Sequence, residues 1–219
     1  MKKVWKENSL SITLFTLFLI CLGLHAVSGH KVHNEELVSH GDKAVSLGQY
    51  LSTGDFVESV AENFESEFLQ MGAFVVLTIF LRQKGSPESK MLDEEEPEDA
   101  DPKSSKRKDS PSPIRAGGLR LKLYENSLSL ALFALFFVSF FLHAWGGASA
   151  YNSEQSAHGG DTVSVFQYFS TSRFWFESTQ NWQSEFMAVG ALVGLSVFLR
   201  QKGSPESKPV AAPHSETGS

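Results

Sequence analysis

Two histidines and two glutamates hold matching positions in a chain that repeats itself, and they are the side chains best suited to chemistry. Residues 7–90 align without a gap on residues 125–208, which aligns His25 with His143 and Glu67 with Glu185. An imidazole beside a carboxylate can exchange a proton, bind a metal ion or form a hydrogen bond that fixes helix packing. We therefore take His25 with Glu67, and His143 with Glu185, as candidate polar pairs, and predict no catalytic residue, metal site or cofactor.

The depth of these residues in a membrane follows from the rise of a helix. A span of about 20 residues that ends at Arg82 must begin near Asn63, which places Glu67 inside the membrane. Glu67 then lies about 22 Å from Arg82, and His25 about 27 Å from Glu7, so the two reach comparable depth in adjacent spans. A structural pair is the simplest interpretation, and proton or ion movement and bis-histidine haem ligation are the alternatives.

Apolar runs in each copy predict the helices that must carry these residues. Residues 9–29 and 127–147 contain no Asp, Glu, Lys or Arg, and a run of about 20 such residues crosses a hydrocarbon core. Residues 68–81 and 186–199 form shorter apolar runs that need further residues to cross. The first run also fits a signal peptide, but the same segment recurs in mid-chain, where a cleaved signal has no place, so we interpret it as a span.

Basic residues at the span ends predict the topology. Lysines or arginines lie just before spans one and three and just after spans two and four, so both termini and the linker are expected on the cytoplasmic side. The fold class is therefore an all-α integral membrane protein with four transmembrane helices, arranged as two parallel two-helix repeats with pseudo-two-fold symmetry. The predicted segments are a first repeat over 1–90, a disordered charged linker over 91–118, a second repeat over 119–208 and a disordered tail over 209–219.

Several function classes are excluded by what the sequence lacks. The net charge of −6 comes largely from loops and tails, and no basic, aromatic-lined groove for nucleic acid is present. Phosphate-binding loops, nucleophile elbows, zinc-protease helices and dinucleotide fingerprints are absent from the sequence. We therefore expect a protein that is not an enzyme.

Two motifs resemble a known family. Residues 181–186, Asn-Trp-Gln-Ser-Glu-Phe, and residues 199–208, Leu-Arg-Gln-Lys-Gly-Ser-Pro-Glu-Ser-Lys, are similar to the signature of a small bacterial transmembrane family of unknown function. The first copy departs from it at Phe64 and Glu65. The resemblance covers both copies and implies a two-span unit of a bacterial inner membrane, here duplicated in tandem, with no activity, substrate or cofactor to carry over.

The sequence thus favours a multi-pass inner-membrane scaffold or envelope-interaction protein. Its expected partners are the lipid bilayer and a membrane or envelope protein, and homo-oligomerisation is compatible with the sequence. The alternative is a small proton or ion transporter or channel that uses the intramembrane Glu and His residues, and a weaker one is a haem or metal redox protein.

Overall fold

The computed structural model describes residues 2–93, 96–105 and 109–218, and all regular secondary structure in these ranges is helical. Four of the helices in these ranges have 27 residues or more, and shorter helices lie between them. The described residues form α1 Lys2–Ser39, α2 Leu47–Tyr50, α3 Gly54–Phe80, α4 Ser112–Ala116, α5 Gly118–Glu125, α6 Ser127–Ala157, α7 Val165–Tyr168 and α8 Ser172–Phe198.

Helix ends recur at aligned positions of the two sequence copies. Helices α2 and α7, and likewise α3 and α8, begin and end at matching residues, and so do the last residues of α1 and α6. Asn8 interrupts α1 with φ −133° and ψ 16°, and its counterpart Asn126 separates α5 from α6 with φ −110° and ψ 11°. Each asparagine amide donates to a carbonyl four residues earlier, an alternative to the helical ladder that explains the break.

The first and sixth helices are candidates for crossing a membrane. The stretches Lys3–Ser39 and Ser127–Ala157 are long and apolar enough to span a bilayer by length and composition. Only 6% of the most apolar window of α1 is buried inside the chain, compared with 28% for α6. The apolar side chains of α1 are thus left almost entirely to surroundings other than this chain.

The chain divides into two compact units. Unit 1 comprises Met1–Ala61 and Leu142–Thr171, and unit 2 comprises Glu62–Phe141 and Ser172–Ser219. Buried Tyr50, Ala144, Ala148 and Tyr168 form the interior of unit 1. In unit 2 the interior is built around Phe174, which stacks edge-on against Phe140 with ring centroids 5.2 Å apart.

Where they are described, the linker forms short helical turns and the tail contacts the loop that follows α3. Residues 97–99 and 102–104 form single 3-10 turns, each begun by a proline, and α4 follows them. Residues 94 and 95 of the acidic block and the basic block 106–108 lie outside the described residues. The buried Lys208 ammonium, just before the tail, donates to the tail carbonyls of Pro213, His214 and Glu216 at 3.2, 3.1 and 2.8 Å.

Candidate functional site

His25 lies on α1 in unit 1 and is exposed. Its Nε2 atom is 2.9 Å from the hydroxyl of Ser59, at the start of α3, and its ring is tilted against Phe56 with centroids 5.9 Å apart. A neutral hydroxyl can accept from or donate to the imidazole in either tautomer. This histidine therefore has the geometry of a hydrogen bond between two helices.

His143 occupies the aligned position on α6 and has a different environment. It is fully buried, and a ring nitrogen lies within 4.8 Å of a carboxylate oxygen of Glu58, also buried. The hydroxyl of buried Tyr168 donates to Glu58 Oε1 at 3.2 Å. We call Glu58, His143 and Tyr168 the buried triad. Burying a carboxylate is costly unless donors or cations compensate it, so these side chains depend on one another.

Three glycines, Gly54, Gly146 and Gly147, allow α3 and α6 to approach closely beside the buried triad. A Cβ atom on Gly147 would lie 2.7 Å from Tyr168 Oη and 2.8 Å from Glu58 Oε1. One on Gly146 would lie 2.6 Å from the backbone nitrogen of Glu58, and one on Gly54 would lie 2.5 Å from the carbonyl oxygen of Gly146. Real Cβ atoms do not approach so closely, so α3 and α6 can meet here only without side chains.

Tyr50 and Tyr168 are positioned by the same set of local hydrogen bonds in the two copies. Asn34 accepts from the Val45 amide at 2.7 Å and donates to its carbonyl at 3.0 Å, and Asn152 makes the same two bonds to Val163 at 2.7 and 2.8 Å. A serine then caps the four-residue helix that follows and a glutamine completes a capping box. These bonds hold the chain so that the tyrosine at the end of each short helix turns inward.

Tyr50 is the first-copy counterpart of Tyr168 and meets different groups. Its ring contacts His33 and Phe56 with centroids 5.3 and 5.5 Å away. Burial, and then the negative charge of Asp55, raise the pKa of the Tyr50 phenol above its usual value. Asp55 itself pairs with His33, with Oδ2 and Nδ1 2.8 Å apart.

The predicted glutamates lie in unit 2, whereas both predicted histidines lie in unit 1, so neither unit contains a whole predicted pair. Glu67 is exposed within the chain and Glu185 is half-buried. The two carboxylates lie near enough for their charges to interact, so within unit 2 each aligned glutamate has the other as a neighbour.

A second pair of aligned glutamates occurs in the loops that follow α3 and α8. Burial, then the charge of Glu206 and a side-chain hydrogen bond with it, raise the pKa of Glu88 above its usual value. Two carboxyl groups can share a hydrogen bond only if one of them carries a proton. The same loop residues make matching local bonds in both copies, for example Gln83 N to Ser89 Oγ and Gln201 N to Ser207 Oγ.

A buried carboxylate in unit 2 has an aromatic donor. Glu65 is fully buried and accepts a hydrogen bond from the indole of Trp182 at 3.0 Å. Glu65 is one of the two residues at which the first copy departs from the resemblance motif, and Trp182 belongs to that motif in the second copy. The contact therefore joins positions that differ between the copies.

Sequence reasoning missed Glu58 and Tyr168. It gave weight to polar residues shared by the two copies, and Glu58 has Phe176 as its counterpart, so that criterion removed it. Tyr168 is shared and stands in the repeated Gln-Tyr-x-Ser-Thr segment, which was a usable signal. Its inward orientation depends on the asparagine bonds across a loop, which periodicity does not show.

The regular secondary structure of the described residues is all-helical, and two of these helices are long and apolar enough to cross a membrane. A family model of a domain of unknown function, DUF6766, matches residues 1–219, so the chain belongs to that family. No curated protein and no solved structure matches the chain. The resemblance to an uncharacterised family is thus confirmed.

Proposed function

We propose that this protein is a four-span bacterial inner-membrane protein that acts as a non-enzymatic scaffold for another membrane or envelope protein. The observation that carries the proposal is the bare apolar surface of α1. Leu14, Phe15, Leu19 and Leu24 all have more than half of their surface exposed, at 57, 68, 63 and 63%. A contiguous apolar surface of this kind requires lipid or a partner helix around it.

The four-span topology rests on helix length and charge. Helices α3 and α8 each have 27 residues, which corresponds to about 40 Å and exceeds the thickness of a hydrocarbon core. Arg82 follows α3 and Arg200 follows α8, and each donates to carbonyls in the last turn of its helix. Basic residues at these ends support a cytoplasmic location for both termini.

Contacts between aligned residues support a pseudo-two-fold arrangement of parallel repeats. In unit 1, the rings of His40 and His158 lie edge to face with centroids 5.8 Å apart. In unit 2, Glu88 has a side-chain hydrogen bond with its own counterpart, Glu206. A residue that meets its own equivalent is the mark of a two-fold interface, in which one surface pairs with itself.

The scaffold function can be tested by crosslinking in native membranes. A photoreactive amino acid at Leu19, on α1, should yield a discrete protein adduct, because this helix is the less covered of the two candidate spans. The matched control is the aligned position Phe137 on α6, which is also exposed. Adducts with lipid alone from both positions, across a full set of α1 sites, would contradict the scaffold function.

Proton or ion movement is the second candidate, and the neighbouring Glu67 and Glu185 favour it. Ionisable residues inside a membrane commonly mark ion or proton pathways, and the charges of these two carboxylates interact. Vesicles containing the purified protein should then show flux that is abolished when Glu67→Gln and Glu185→Gln are combined. Absent flux, or flux unchanged in the double variant, would refute this candidate and leave the scaffold function standing.

A further inference from the structure

The buried triad combines three kinds of metal-binding atom in one place. Glu58 contributes a carboxylate oxygen, His143 an imidazole nitrogen and Tyr168 a phenol oxygen, and their residues are 8, 0 and 0% exposed. Carboxylate and imidazole are the commonest nitrogen and oxygen ligands of zinc, and imidazole also suits iron, copper and nickel. The donor set therefore fits a first-row transition metal ion better than it fits Ca²⁺ or Mg²⁺, which require oxygen ligands only.

The spacing of these atoms is close to what coordination requires. Two ligand atoms on one zinc ion lie at most about 4.4 Å apart, since each bond is about 2.0–2.2 Å long. The carboxylate of Glu58 and the ring of His143 are within 4.8 Å, and Tyr168 Oη is 3.2 Å from Glu58 Oε1. The Glu58 carboxylate is thus the group that lies near both of the other two side chains. Gly146 and Gly147 keep this space free of side-chain atoms.

We propose that Glu58, His143 and Tyr168 form a binding site for a divalent first-row transition metal ion. Within this site the cation offsets the burial of the Glu58 carboxylate, which is a favourable way for a protein to hold a charge away from water. The inference departs from the expectation of a metal-free protein, and it is independent of whether the protein acts as a scaffold or as a transporter.

The first copy supplies the internal comparison. Its His25 bonds a serine hydroxyl, a poor metal ligand, and the residue aligned with Glu58 in the second copy is Phe176. Of these two aligned histidines, His143 has a carboxylate beside it and His25 has a hydroxyl. His25→Gln is the matched control for His143→Gln, because both remove an imidazole from the same aligned position.

The test is metal binding by the full-length protein purified in mild detergent and stripped with a chelator. Titration with Co²⁺ should give visible absorption bands that saturate at one equivalent and disappear when Zn²⁺ is added. Glu58→Gln and His143→Gln should each weaken cobalt binding by at least about tenfold, while His25→Gln leaves it unchanged. Circular dichroism of each variant identifies any that fails to fold, and Tyr168→Phe, the mildest change, then serves in its place with an altered cobalt spectrum expected.

Three results would overturn the proposal. One is a wild-type protein that shows no cobalt bands. Another is binding that survives in folded Glu58→Gln and His143→Gln proteins, and the third is equal loss in the His25→Gln control. Each of these would establish the triad as a hydrogen-bonded structural cluster.

Discussion

His25 and His143 occupy aligned positions in unit 1, but their surroundings differ in kind. The first is exposed and bonds a hydroxyl, whereas the second is fully buried beside a carboxylate that also accepts from a tyrosine. Both copies share the same local structure around these histidines. It consists of the asparagine hydrogen bonds and the capped short helices. The aligned segments thus form similar local hydrogen bonds at both positions, while the residues that differ between them decide which groups each histidine contacts.

The largest loss of stability is expected from a side chain added at Gly146, where α6 and α3 are in close contact. Gly146→Ser gives α6 the residue that the first copy has at Ser28, and its Cβ would lie 2.6 Å from the backbone of Glu58. We expect a loss of about 2 kcal/mol or more, which lowers the melting temperature in detergent by about 4–8 °C. Ser28→Gly is the reciprocal control. Equal melting temperatures for Gly146→Ser and wild type would show that the close approach is not required.

The next largest loss of stability is expected at Tyr168, and its aligned counterpart Tyr50 provides the comparison. Tyr168→Phe removes the donor to the buried Glu58 carboxylate and should cost about 1–3 kcal/mol in the free energy of unfolding. Tyr50→Phe should cost less, because it takes no donor from Glu58. Chemical or thermal denaturation of both variants, with the wild type beside them, measures the difference. A larger loss for Tyr50→Phe would reverse our comparison of the two copies.

The shared asparagine bonds allow a finer comparison. In the first copy His30 Nε2 also reaches the Val45 carbonyl, at 2.7 Å, and the aligned residue in the second copy is Ala148. Asn152→Ala should therefore destabilise the protein more than Asn34→Ala, by about 1 kcal/mol. In a His30→Ala background the two asparagine variants should become equal. A persistent difference in that background would mean that the bonds are not equivalent.

The smallest change in stability is expected in the loops over residues 82–90 and 200–208, whose sequences are identical. The pKa of Glu88 is higher in the folded chain than in the unfolded chain, so protonation of Glu88 favours folding. This contribution to the unfolding free energy is fully present at a pH below the unfolded-state pKa. It is lost as the pH rises through the folded-state pKa. At neutral pH, either Glu88→Gln or Glu206→Gln should raise the unfolding free energy by about 0.2–1 kcal/mol and flatten its dependence on pH above about 4.3. Melting curves at several pH values measure this slope, and a slope unchanged in both variants would contradict the pairing.

Much of the helical architecture could be predicted from the sequence, because hydrophobic runs and helix-ending residues act locally. The all-helical class and the two most apolar segments followed from such runs. The candidate site depended on longer-range geometry. Glu58 lies beside His143 because α3 and α6 approach each other closely at Gly54 and Gly146. The hydrophobic periodicity of one helix does not reveal which residue of another helix it contacts.

The Lys208 amine, held by three tail carbonyls, gives the protein a chemical reporter of its own C-terminal end. Its burial, and then the charge of Arg200, lower the pKa of this amine while the tail covers it. An amine-reactive reagent can modify Lys208 only while the tail is detached. The modification rate, followed by mass spectrometry, thus measures the opening equilibrium of the tail in the unaltered protein, as hydrogen exchange does for a backbone amide.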